Sequence, residues 1–316
     1  MMKAAMTAAI MLLALSANEA PAAEKCGLKL LQSYDMEPGT SMPIIQVSID
    51  GKPRPTMIDT GAFSSWVTQS YVAEIGEKAK ALHNGGMVYG DNSRMGEYIV
   101  VPSVDIGVFH QDASTFTIMA HSEKTKLAAG LGHNALKRFD VEFDFAARKV
   151  KFFSQDHCEG QVVYWAKNYT VVPFKDGMDA IELSMVLDGH DIDTVLDTGT
   201  TYSYLNRRIM TGIFGFDDNS PNVKHVTLPG DYKTETATFK SLSIGGVTFP
   251  NPSLLVREDQ VLNMARFDVN GKEQNQPGVV MLHDPHLLLG MDALSHLHFY
   301  IAYAEHKIYV TAADAH

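Results

Sequence analysis

Short segments of alternating apolar and polar residues recur along this chain. Such alternation marks half-buried strands. Ile45, Val47 and Ile49 alternate in one segment, and Ile181, Leu183 and Met185 in another. Each of these segments reaches an Asp-Gly pair, Asp50-Gly51 and Asp188-Gly189. Asp-Gly between two strand patterns is a strong hairpin signal. Further on, Val141, Phe143 and Phe145 alternate, Ala147 and Arg148 turn, and Val150 and Phe152 return. Phe299, Ile301 and Tyr303, followed by Ile308 and Val310, repeat that hairpin. Gly, Pro and Asn-rich turns separate the strands, and helical patterns are few. The pattern predicts an all-β protein.

The strands fall into one unit written twice. IIQVSIDGKPRPTMIDTGAFSS, from Ile44, parallels AIELSMVLDGHDIDTVLDTGTTYS, from Ala180. From the turn glycine to the Asp of Asp-Thr-Gly is 8 residues in both, Gly51 to Asp59 and Gly189 to Asp197. The unit ends also match. Gly132, Ala135 and Leu136 align with Gly290, Ala293 and Leu294 at an offset of 158, which holds to Lys149 and Lys307. A short helical turn is expected after each of these glycines. The chain therefore divides into a lobe over 24–160 and a second over 161–316, with the boundary near 155–170.

The opening residues are of another kind. Lys3, an apolar run from Ala4 to Ala17, and the small residues Ala20, Ala22 and Ala23 have the layout of a secretory leader over 1–23, too short to span a membrane. The expected location is secreted or periplasmic, with no membrane anchor once the leader is cleaved and a monomer as the working unit. A net charge of −11 makes nucleic acid an unfavourable partner. Of the two cysteines, Cys26 precedes the first lobe and Cys158 follows it. An exported chain with an even count invites a bridge that would staple the lobe; two buried thiols are the alternative.

Each Asp-Thr-Gly closes an apolar strand, Met57-Ile58 in one copy and Leu196 in the other. The Asp then arrives nearly desolvated at a sharp turn. Gly61 and Gly199 let the opposite loop approach closely. Thr60 and Thr198 can hydrogen-bond across and hold the two turns together. Two such turns would bring Asp59 and Asp197 together. Like charges so placed cannot both ionise, so one carboxyl keeps a proton and the other serves as base. That pair can activate water against a peptide carbonyl without metal or organic cofactor. The expected partner is a peptide or protein substrate.

Asp59-Thr60-Gly61-Ala62 resembles the retroviral form of the aspartic protease superfamily, and Asp197-Thr198-Gly199-Thr200 the pepsin form. Leu131-Gly132-His133-Asn134-Ala135-Leu136 and Leu289-Gly290-Met291-Asp292-Ala293-Leu294 are similar to its second signature. The resemblance implies a bilobal pepsin-like fold of two retropepsin-like lobes, with an endopeptidase site between them. The alternative is a non-catalytic peptide-binding protein of the same fold. The family's hydroxyl residue after the catalytic glycine is present as Thr200 and missing at Ala62, which implies Asp197 as the better supported, ionised member. The resemblance also implies glycine-bearing flaps: Tyr89, Gly90 and Asp91 in one lobe, and Gly230, Asp231 and Tyr232 after Pro229 in the other.

His283-Asp284-Pro285-His286 with His296 and His298 has zinc-type ligands, yet the last two fall inside the repeat and read as a surface turn and strand, so no metal is assigned. Phe63 and Trp66 are expected near the cleft, with core packing as their role. The polar stretch from Arg257 to Gly278 has no counterpart in the first lobe and reads as an inserted loop, of the kind that often carries specificity.

Overall fold

The computed structural model describes residues 27–81, 87–88, 94–119, 126–177, 180–229, 231–258, 261–262, 266–267, 273–274, 279–280 and 285–314. The expected leader over 1–23 and Cys26 lie outside these residues, and with Cys26 the pairing expected for Cys158. So do Tyr89, Gly90, Asp91, Gly230, His283 and Asp284.

The architecture is mostly β. In the first lobe a hairpin joins Ile44–Ile49 to Lys52–Ile58. Its turn residues Asp50 and Gly51 have φ of 52° and 69°. Two residues at positive φ give the turn a twist that matches the flanking strands, which is why Asp-Gly was diagnostic. Beyond the hairpin, the strands Ala129–Leu131, Trp66–Thr68, Phe109–Met119 and Glu97–Ile106 follow in sheet order. The last pairs back onto Ile44–Ile49, so the sheet closes on itself and leaves no open edge there. The second lobe repeats this order, but its two long strands are each broken: Tyr232–Thr238 with Ser241–Ile244, and Val247–Pro250 with Ser253–Arg257. A helix follows each turn region. Gln69–Ile75 is capped by the Thr68 side chain, and Arg207–Phe214 by Asn206. The matched glycines are followed, as expected, by short helices, His133–Leu136 and Met291–Leu294.

A six-stranded antiparallel sheet is shared by the two lobes: Leu30–Asp35, Lys149–Phe153, Asp140–Asp144, Leu297–Ala302, Lys307–Ala312 and Thr170–Pro173. The lobes meet at its centre, where Val141 faces Ile301 and Phe143 faces Phe299. These side chains belong to one continuous core that includes residues of both lobes.

The other face of this sheet is also covered, by Val162, Val163 and Trp165 of the connecting segment. This corrects the expectation for His298, which is buried rather than superficial. Its ring stacks on Trp165 at 4.2 Å and lies 3.0 Å from Glu142 Oε1. Glu142 also accepts from Lys151 Nζ at 2.6 Å and from the Tyr164 hydroxyl at 2.6 Å. A lysine ammonium thus pairs with the buried carboxylate, and the groups around it are joined by hydrogen bonds. His296 is exposed. The inserted stretch begins as a strand end at Arg257 and carries two small pairings, Val261–Leu262 with Val279–Val280 and Arg266–Phe267 with Glu273–Gln274.

Candidate active site

Each Asp-Thr-Gly turn is suspended from the strand that crosses behind it. Ala129–Leu131 lies parallel to Lys52–Ile58 and antiparallel to Trp66–Thr68. The Leu131 carbonyl accepts from Asp59 N at 3.0 Å, and the Leu289 carbonyl from Asp197 N at 3.0 Å. Ser65 N and Oγ donate to Asn134 Oδ1, and Ser203 N and Oγ donate to the Asp292 carboxylate. The second signature thereby fixes the loop after each Asp.

The two turns interlock. Thr60 N donates to Thr198 Oγ1 at 3.1 Å and Thr198 N to Thr60 Oγ1 at 3.0 Å. Each hydroxyl then donates across to the strand before the opposite Asp, Thr60 Oγ1 to the Leu196 carbonyl at 2.8 Å and Thr198 Oγ1 to the Ile58 carbonyl at 2.5 Å. Both threonines are fully buried, so every one of these bonds is shielded from water. The carboxylates cross over as well. A Cβ on Gly61 would stand 2.2 Å from Asp197 Cγ, and one on Gly199 would stand 2.3 Å from Asp59 Oδ1. Each carboxyl therefore occupies the space left by the other turn's glycine, and the two are hydrogen-bonded to each other.

Their surroundings differ. Asp59 is 8% exposed, whereas Asp197 is half-buried. Asp59 Oδ1 accepts from Ala62 N at 3.0 Å, and Oδ2 from the Trp66 indole Nε1 at 2.9 Å. Asp197 Oδ1 accepts from Gly199 N at 2.7 Å. Burial pushes Asp59 above the ordinary carboxylate range, and the Trp66 and Ala62 donors oppose it. Burial, followed by the neighbouring Asp59 charge, pushes Asp197 up to about 8. Donors stabilise the charged form, so these contacts favour charge on Asp59 and the shared proton on Asp197. The sequence-based expectation placed the charge on Asp197. Thr200, expected to support Asp197, also acts on the Tyr204 phenol, whose ionisation burial opposes and Thr200 eases. Ala62, which lacks the hydroxyl, supports Asp59 through its backbone.

Trp66 is the functional residue whose role the sequence reading missed. It is buried as expected, but its N–H points at the dyad. A correlated exchange between the repeats carried the signal. Trp66 pairs with Gly130, and a Cβ there would lie 2.2 Å from the indole. In the second lobe the equivalent pair is Tyr204 with Leu288. A large ring facing glycine in one copy, and a smaller ring facing leucine in the other, is what a rotated, functional tryptophan requires. Of the expected flap residues, Asp231 has φ of 60° at a hairpin tip and Tyr232, 61% exposed, opens the strand after it. Phe63 is half-buried.

Residues 45–138 match the family model of gag-polyprotein putative aspartyl protease, and residues 183–293 that of aspartyl protease. No curated protein matches the sequence. Among solved structures, Basic 7S globulin from soybean aligns at 11% identity over 92% of this chain and 96% of its own, with a TM-score of 0.47. An aspartic proteinase from Irpex lacteus aligns at 11% identity over 90% and 97%, with a TM-score of 0.49. The two family matches fall one in each lobe, each contains one Asp-Thr-Gly turn and the strand behind it, and the chain belongs to the aspartyl proteases.

Proposed function

We propose that the protein is an aspartic endopeptidase working with Asp59 as base and Asp197 as acid. The observation that carries this reading is the asymmetric dyad: two hydrogen-bonded carboxyls, one supported by an indole and a backbone N–H, the other raised by its partner's charge. A water bound between them would give its proton to Asp59 as its oxygen attacks the peptide carbonyl carbon. Asp197 would pass its proton to the carbonyl oxygen. Asp59 then returns a proton to the amide nitrogen as the C–N bond breaks, and Asp197 recovers one from the collapsing diol. The apolar leader supports a working place outside the cytoplasm.

The test is cleavage of a diverse peptide library by the mature chain between pH 3 and 9. Activity requires Asp59 charged and Asp197 protonated. It should therefore be retained at neutral pH and lost as the pH rises through about 8. Binding of peptides at every pH without cleavage would favour the non-catalytic reading.

Trp66→Phe isolates the indole donor. A hydrogen bond to a charged group is worth ~1.5–3 kcal/mol, so the acid limb of the pH profile should move upward by about one to two pH units. The alkaline limb should move less. An unmoved acid limb would show that the indole only packs.

A further inference from the structure

The segment that joins the lobes crosses the outer face of their shared sheet, and its His157 lies between acids of both. Asp140 comes from the first-lobe strand Asp140–Asp144. Glu305 comes from the turn between the second-lobe strands Leu297–Ala302 and Lys307–Ala312. The His157 ring is 3% exposed, the Asp140 side chain 0% and the Glu305 side chain 7%. His157 Nε2 lies 2.5 Å from Asp140 Oδ2. Its Nδ1 lies 3.2 Å from the Cys158 carbonyl oxygen and 3.7 Å from Glu305 Oε1.

Both ring nitrogens therefore face acceptors. A neutral imidazole has one N–H and one lone pair, so it satisfies one side and opposes the other. The imidazolium donates from both nitrogens. The surrounding groups do not take its place. The Tyr300 hydroxyl donates to Asp140 Oδ2 at 3.2 Å and Tyr303 N to Oδ1 at 3.0 Å, and both donors are neutral. Glu305 accepts from Gly160 N at 3.1 Å and from the Tyr309 hydroxyl, and Lys307 Nζ lies 3.9 Å from its Oε2 while pairing with Glu159. Among the described residues, His157 is the one side chain in contact with Asp140 that can carry positive charge. The next acid on this face, Glu142, has Lys151 as well as His298, so its charge is balanced whatever His298 holds. Burial works against charge on the His157 ring, yet the Asp140 bond and the two carboxylates hold it above the usual histidine range.

We propose that His157 is a proton-operated clasp: with a proton on each ring nitrogen it ties the connecting segment to both lobes, and loss of one proton on the alkaline side loosens the tie. The inference concerns how the chain is held together and does not rest on the protease reading. Its sign follows from proton linkage. A histidine that holds its proton more tightly when folded stabilises fully below the ordinary value of about 6.5, and the contribution is lost as the pH rises through the folded value.

His157→Gln tests this. The amide can still donate to Asp140, but it has no proton to lose in this range. Melting temperatures of wild type and variant are compared from pH 6 to 9.5, and the dyad, common to both, cancels from the difference. The wild type should melt about 5 °C higher at pH 6, and the gap should close toward pH 9.5. A gap of constant size, or no gap, overturns the clasp and leaves a histidine that only packs. If His157→Gln does not fold, the decision passes to limited proteolysis of the Asp197→Asn chain, which cannot cut itself. Rates for an added protease are normalised to an unfolded peptide of residues 154–165. Between pH 6 and 9 cleavage within 154–165 should rise about tenfold and exceed the rise elsewhere. An equal rise along the whole chain, or none, overturns the inference.

Discussion

Asp197→Asn should abolish peptide cleavage, lowering kcat/KM by about 10³-fold or more while the chain stays folded. The amide cannot hold and release the proton that the mechanism assigns to this position. Asn still accepts from Gly199 N, so the local backbone keeps its partner. Stability should move the other way from activity. The Asp197 carboxyl is raised when folded, so the folded chain binds more protons than the unfolded one between the ordinary carboxylate range and about 8. Its contribution is complete at low pH and is lost as the pH climbs through that window. Asp197→Asn removes this dependence. Its melting temperature should therefore exceed that of the wild type near pH 7, and the gap should close toward pH 4. Asp59→Asn should be equally inactive. Residual activity above a hundredth of wild type in either variant, measured on the purified folded protein, would remove the dyad from the mechanism.

Gly61→Ala carries the second large effect. The added methyl would stand 2.2 Å from Asp197 Cγ and 2.5 Å from both its oxygens. Neither group has room to yield, because Thr60 and Thr198 lock the turns and Leu196 is buried in front of Asp197. The carboxyl must be displaced, and a misplacement of about 1 Å at reacting groups costs on the order of 10²-fold. Overpacking adds about 1–3 kcal/mol of destabilisation. Gly199→Ala should behave alike, since its methyl would stand 2.3 Å from Asp59 Oδ1. Wild-type kcat/KM in both variants would mean that the carboxyls are not seated over these glycines in solution.

Much of this was written in the sequence, and the reasons are local. Alternation and two Asp-Gly turns are short-range signals, so the hairpins could be read directly. The repeat then supplied the long-range fact that two identical turns face each other. Side-chain direction was less legible. Val141 and Phe143 alternate as a one-sided strand should, yet Asp140 before them and Glu142 between them are also buried. The connecting segment covers that face, and no strand pattern reports what a linker will cover. The same gap explains His298, and it explains Trp66, whose neighbour Gly130 lies 64 positions away in the chain. The expectation for Asp197 credited Thr200 with a bond to the nearest carboxyl, whereas the structure sets Thr200 against the Tyr204 phenol, whose ionisation it eases.

Encoding the two turns separately has a further effect. In an assembly of two identical chains, any substitution beside one aspartate appears beside the other, and acid and base can be distinguished only when an asymmetric substrate arrives. Here alanine stands after one Asp-Thr-Gly turn and threonine after the other, and an indole faces one carboxyl where the matching place in the other lobe holds a phenol. In the proposed mechanism the direction of proton flow would therefore be inherited with the gene and set before any peptide binds, and each half of the site could change its chemistry without altering the other.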